Sequence, residues 1–122
     1  MADTATHVHL AIDYIEISVT DVAVAKRFYA QAFGWTFTDY GPDYAGFKDS
    51  RGGAEAGGLA RVDSVAVGGP LVVLYSNELQ ATFDAVEGAG GRITKAIFEF
   101  PGGKRFQFAD PSGNELAVWS ER

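Results

Sequence analysis

Residues 12–20 read IDYIEISVT, Asp21 follows, and VAVAKRFYAQAF fills 22–33 before Gly34. Residues 70–77 read PLVVLYSN, Glu78 follows, and LQATFDAVEGAG fills 79–90, with Gly90-Gly91 as its stop. Asp21 and Glu78 are offset by 57 positions, as are Gly34 and Gly91. One offset shared by strand, helix start and helix stop identifies two copies of a single supersecondary unit. In the first copy Tyr14, Glu16 and Ser18 alternate with Ile15, Ile17 and Val19, the period of a half-buried strand. Thr20-Asp21 suits a helix start, where an acid meets the positive end of the helix dipole. Val22, Ala25, Phe28, Tyr29, Ala32 and Phe33 then recur at three- and four-residue spacing, a buried helical stripe.

After each helix the signals are those of hairpins. Segments 35–40 and 44–48 flank Gly41-Pro42-Asp43, and a short strand is expected near 57–62. In the second copy strands are expected at 92–100 and 104–109 around Pro101-Gly102-Gly103. A last strand, 115–120, follows Asp110-Pro111-Ser112-Gly113-Asn114. Each copy reads β-α-β-β-β. The hairpins exclude a doubly wound parallel sheet and favour an α+β protein of two mixed sheets, each with one helix on its outside. Module one covers about 10–62 and module two about 70–120, joined by DSVAVGG at 63–69.

At 122 residues the chain reads as one domain, and 47% hydrophobic residues are enough for a real core. A formal net charge of −6 argues against nucleic acid, which is held by lysine and arginine. The absence of cysteine removes disulfides, thiolate metal sites and cysteine nucleophiles. No apolar run approaches the ~18 residues of a membrane span, and MADTATHVHL lacks a signal-peptide pattern. A cytoplasmic soluble protein is the expectation.

The segment YIEISVTDVAVAKRFYAQAFGW, the turn YGPDY and the closing FADPSGNELAVW together resemble the vicinal oxygen chelate superfamily of glyoxalases, extradiol dioxygenases and bleomycin-resistance proteins. The resemblance implies curved mixed sheets around a cleft, usually in a homodimer, with modules often contributed across the two chains. It also implies where a chelating member would carry its His, Gln or Glu ligands. Those positions are Tyr14, Leu71 and Ala117, with the fourth among residues 55–60, at Ala56, Ala60 or Glu55. Leucine and alanine have no donor atoms, and about three protein ligands are needed for a catalytic ion. No metal and no other cofactor are therefore expected. His7 and His9 have a spacing that could bind metal but read as solvated residues near a terminus.

Strand alternation puts Tyr14, Glu16 and Ser18 on the cleft side if Ile15, Ile17 and Val19 lie under the helix. The repeat places Leu71, Val73 and Tyr75 there too, and the last strand adds Glu115, Ala117 and Trp119. Phe106 and Phe108 share one face, on a side the pattern leaves open. Such an aromatic, apolar lining with few polar groups suits a small-molecule ligand. Tyr14 and Tyr75 read equally as ligand contacts or as packing, and Trp119 as cleft or dimer interface. Glu16, if desolvated among aromatics, could act as a general base; a tyrosine hydrogen bond could instead satisfy it. Lys104 and Arg105 read as two solvated bases on a hairpin turn, Lys26-Arg27 as a wet helix face, and the Asp-Pro-Ser-Gly-Asn segment as a turn. Three functions follow: a metal-free binding protein in a homodimer, a lyase or isomerase of glyoxalase type using a degenerate metal site or Glu16, or a structural dimer.

Overall fold

The computed structural model describes residues 7–121. The first unit contains β1 (Ile15–Val19), α1 (Val22–Phe33), β2 (Thr36–Asp39), β3 (Tyr44–Lys48) and β4 (Gly57–Arg61). The second contains β5 (Val72–Tyr75), α2 (Leu79–Gly88), β6 (Arg92–Phe100), β7 (Gly103–Ala109) and β8 (Glu115–Ser120). Each unit makes one four-stranded mixed sheet, in the orders β1-β4-β3-β2 and β5-β8-β7-β6. In both, the first strand pairs parallel with the last and the hairpin partners run antiparallel. The fold is α+β, two βαβββ modules, as the hairpin signals required. Neither sheet closes, so β1 and β5 are open edges. No helix among the described residues is long and apolar enough to cross a membrane.

The two helix starts are not chemically equivalent. Asp21 caps α1 by accepting from the Val24 amide at 3.0 Å. Glu78 occupies the same place before α2 but its side chain makes no capping bond. Ser76 does that work from two residues earlier: its Oγ accepts the Glu78 amide at 3.0 Å and meets Thr82 Oγ1 at 2.7 Å. The ends differ as well. Gly34 takes the left-handed conformation (φ 74°) and donates to Ala30 at 2.9 Å, closing α1. α2 stops at Gly88, short of the expected Gly90, and Ala89 caps it by donating to Ala85.

The helices do not form two separate outer layers. Phe28 and Phe33 of α1 reach Phe108 of β7, with ring centroids 6.0 and 5.8 Å apart. The aromatic stripe of α1 is too bulky for one module, so it fills a core shared with the other. Gly91 makes this possible, since a Cβ there would press on Val86 and Phe28. Ile17, Val19 and Leu59 of the first sheet and Phe106, Phe108, Leu116 and Val118 of the second all face this core. Phe106 and Phe108 thus belong to the helix side.

The Asp110–Asn114 turn joins the modules. Asp110, 4% exposed, accepts from the Tyr29 hydroxyl at 2.8 Å and from the Ser112 and Asn114 amides at 2.9 Å. Burial first, and then the neighbouring Asp110 carboxylate, push the Tyr29 phenol well above its ordinary pKa. Asn114 Nδ2 donates to the Ser18 carbonyl at 2.7 Å, and Ser112 Oγ accepts the Thr20 amide at 2.9 Å. The open edge of β1 is therefore tied at its C-terminal end to the start of β8.

Candidate functional site

Each sheet buries one face under the helices and leaves the other open. On the first open face, Glu16 pairs with Gly58, Gly58 with Gly46 and Gly46 with Thr38, one row across four strands. The two glycines leave the middle of that row without side chains. A Cβ on Gly58 would collide with the Tyr14 and Tyr44 hydroxyls, and one on Gly46 with the Glu55 carboxylate. Glycine within a strand marks a close approach of other groups to the backbone. Here the approaching groups are polar. Tyr44 donates to Glu16 Oε1 at 3.0 Å, the Tyr44 and Tyr14 hydroxyls share a short hydrogen bond, and Tyr40 donates to Glu55 Oε2 at 2.7 Å.

Desolvation, then the bonds with Tyr14 and Glu16, hold the Tyr44 phenol well above its ordinary pKa. Tyr44 therefore stays protonated and serves as a donor to Glu16. Of the two readings of Glu16, desolvation among aromatics or a tyrosine hydrogen bond, the second describes it: the residue is exposed, because β1 is an edge strand, and accepts from Tyr44. Sequence reading placed Tyr14, Glu16 and Ser18 together but missed Tyr40 and Tyr44. The signal for Tyr44 was the period of β3, which sets it and Gly46 on one face; Tyr40 lies outside the strands.

On the second open face, one row runs Tyr75, Trp119, Arg105, Phe98 across β5, β8, β7 and β6. Tyr75 meets Trp119 edge-on at 5.0 Å. The next row holds Val73, Ala117, Gln107 and Lys95. Gln107 links two charges: it accepts from Arg105 Nη2 at 2.9 Å and donates to Glu115 Oε2 at 2.9 Å. Thr94 also donates to Glu115, at 2.8 Å, and these two bonds, Thr94's first, lower the Glu115 pKa. Arg105 is not the solvated turn base expected from Gly102-Gly103-Lys104-Arg105. β7 begins already at Gly103, so alternation turns Lys104 outward and lays Arg105 half-buried on the open face.

The expected ligand-binding residues thus fall into two groups. Tyr14, Glu16 and Ser18 belong to the first open face, and Val73, Tyr75 and Trp119 to the second. A cavity of about 390 Å³ runs along Glu16 and Ser18 to the 64–66 loop and the start of β8. Another, about 560 Å³, carries Val73 and Tyr75 with Ile15, Trp35 and Phe47 between the β1 and β5 edges. Neither of these cavities joins the two groups.

As a metal centre the donor set does not fit. Tyr14 is engaged with Tyr44, Glu55 with Tyr40, and Leu71 and Ala117 offer no lone pair. His7 pairs with Asp13 at 2.6 Å and His9 is exposed. Among the described residues no three His, Cys, Asp or Glu side chains converge on one point.

Paired βαβββ modules, each a four-stranded mixed sheet with a helix-packed and an open face, define the structural class of the chain. The chain belongs to the Glyoxalase/Bleomycin resistance protein/Dioxygenase superfamily, whose family model matches residues 11–118. It is similar to the CFP32 proteins of Mycobacterium bovis and Mycobacterium tuberculosis, at 24% identity over 115 residues. That match covers 88% of this chain and 44% of theirs, so the chain spans less than half the length of these relatives. Its fold matches the crystal structure of a glyoxalase-related enzyme from Fulvimarina pelagi with a TM-score of 0.77 at 18% identity, over 91% of this chain and 88% of that one. It also matches TnmS3, an antibiotic-binding protein from Streptomyces sp. CB03234, with a TM-score of 0.69 at 18% identity, over 93% and 98%.

Proposed function

We propose that the chain binds a small aromatic molecule, without a metal, in a cleft that two copies complete from their open sheet faces. The observation that carries this reading is the run of exposed apolar side chains on the two open-edge strands and the residues preceding them. Tyr14 and Ile15 are 40% and 39% exposed, and Leu71, Val73 and Tyr75 are 37%, 43% and 45% exposed. Unpaired edges bearing large apolar residues call for a cover. A second copy would cover them and at the same time bring a Tyr14–Glu16–Ser18 face towards a Val73–Tyr75–Trp119 face. The donor-poor ligand positions support the metal-free part. The structural likeness to TnmS3 adds support for binding rather than turnover, and the acidity supports a partner other than nucleic acid.

The test combines sedimentation with a thermal-shift screen of small aromatic metabolites and antibiotics on protein purified without chelator. A dimer stabilised by at least one compound, with far less than one Zn, Ni, Mn or Fe per chain by elemental analysis, is the expected result. A stoichiometric metal, or a monomer unresponsive to the whole screen, refutes it. A second reading rests on the Tyr14–Tyr44–Glu16 chain, in which Glu16 acts as the general base of a lyase or isomerase. Glu16→Gln would then abolish turnover of a bound compound, and unchanged turnover removes Glu16 from that role.

A further inference from the structure

We propose that Arg105 makes the second open face selective for an anion, and that the ligand it takes is an aromatic carboxylate. This rests on the binding reading above and names the ligand class for it. Acids outnumber bases in the chain, 16 Asp and Glu against 10 Lys and Arg, yet Arg105 forms no ion pair among the described residues. Its hydrogen bond goes to the neutral amide of Gln107, and its buried Nε has no acceptor. A half-buried guanidinium without an anion is a costly arrangement, and a carboxylate at its terminal nitrogens, though not at the buried Nε, relieves the missing charge. The guanidinium carbon lies 5.5 Å from the Phe98 ring centre, and Lys95 Nζ lies 4.8 Å from the same centre. Two cations therefore share one aromatic neighbour on the open face.

The nearby acids do not fill the site. Glu115 reaches the Arg105 side only through Gln107, and its carboxylate is already held by Thr94 and Gln107. Glu121 accepts from the Tyr75 hydroxyl at 3.3 Å, at the far end of the row. A cavity of about 360 Å³ is lined by Arg105, Gln107, Leu71 and Pro70, with Glu115 also in its wall. Trp119, opposite Arg105 in the same row, offers an apolar surface for a ring. The planar fork of arginine matches a carboxylate in two parallel bonds.

The test is a titration of the full chain with benzoate and with its neutral isostere benzamide, followed by the two indole N–H signals in NMR. Trp35, 7% exposed and stacked on Tyr29 and Phe47, lines the cavity at the β1 and β5 edges and reports on binding there instead. Benzoate is expected to move the Trp119 signal and not that of Trp35, and to bind at least about tenfold more tightly than benzamide. Arg105→Gln is expected to erase that difference, and Arg105→Lys to leave part of it. Equal binding of the two probes to the wild-type chain overturns the anion subsite and leaves the aromatic cleft standing. No movement of Trp119 with either probe overturns both. If Arg105→Gln does not fold, the benzoate-to-benzamide ratio of the wild-type chain and Arg105→Lys decide.

Discussion

Gly57 and Gly58 are neighbours in β4, and adding one methyl group to each should have unequal consequences. At Gly57 the new Cβ would meet the Ile15 carbonyl oxygen and the Phe47 ring. Neither can give way easily. The carbonyl belongs to the parallel β1–β4 ladder, and Phe47, 4% exposed, stacks on Trp35 at 4.4 Å and 13°. Overpacking of this kind costs about 1–3 kcal/mol, and displacement of β1 adds to it. At Gly58 the Cβ would meet two tyrosine hydroxyls, the free ends of flexible side chains on an open face. Swinging them away sacrifices the Tyr14–Tyr44 and Tyr44–Glu16 bonds, each about 0.5–1.5 kcal/mol and at the low end when exposed. The lost backbone freedom of glycine in the unfolded chain returns about 0.4–1 kcal/mol. Gly58→Ala should therefore lie within about 1 kcal/mol of wild type, and Gly57→Ala about 2 kcal/mol or more below it. Urea unfolding followed by tryptophan fluorescence resolves this as a midpoint shift of about 1 M for Gly57→Ala. A Gly58→Ala protein as unstable as Gly57→Ala would refute the claim that the tyrosine cluster, unlike the ladder beside it, is free to move.

Asp110→Asn replaces the buried acceptor of the inter-module turn with an amide that must turn donors towards donors. A loss of about 1.5–3 kcal/mol is expected, read as a melting temperature lower by about 5 °C or more, whereas a change under about 0.5 kcal/mol would mean the turn does not hold the modules together. Glu115, whose pKa the folded state lowers, contributes stability that is fully present above its unfolded pKa and lost as pH falls through its folded one. The stability gap between wild type and Glu115→Gln should thus be widest near neutral pH and close in acid, as seen in urea midpoints across pH. A gap that grows on acidification contradicts the assigned bonds from Thr94 and Gln107.

Much of this fold was written in the duplicated pattern. Offset by 57 positions, Ile15 and Ile17 correspond to Val72 and Leu74; Ile17 lies in the core and Val72 and Leu74 pack against it, while Ile15 at the strand start stays exposed, so period-two alternation located two strands and their buried faces. What the pattern could not supply was the way the modules meet. Whether α1 packs on its own sheet alone or also reaches Phe108 depends on side-chain volumes across 80 residues of chain, and nothing local encodes it. The Asp110–Asn114 turn looked like a turn because its local signals are those of a turn; its bonds to Tyr29, Thr20 and Ser18 are tertiary. Arg105 was misread for a related reason. The strand expected at 104–109 already held Arg105 opposite in face to Phe106 and Phe108, and the glycines before it drew the reading to a turn.

The same offset explains why one architecture yields two unlike surfaces. Helix-side positions are constrained by a core that both modules share, so their partners stay apolar. Open-face positions carry no such constraint, and Tyr14, Glu16 and Ser18 correspond to Leu71, Val73 and Tyr75. The first face became a tyrosine–carboxylate surface seated on Gly46 and Gly58, the second an aromatic surface around Arg105. In the proposed dimer a ligand between two such faces would meet acceptors and phenols on one side and a guanidinium on the other. Such a cleft would read it in a single orientation, which two identical modules could not impose. The duplication supplies the frame, and the asymmetry of its open faces is what the proposed selectivity rests on.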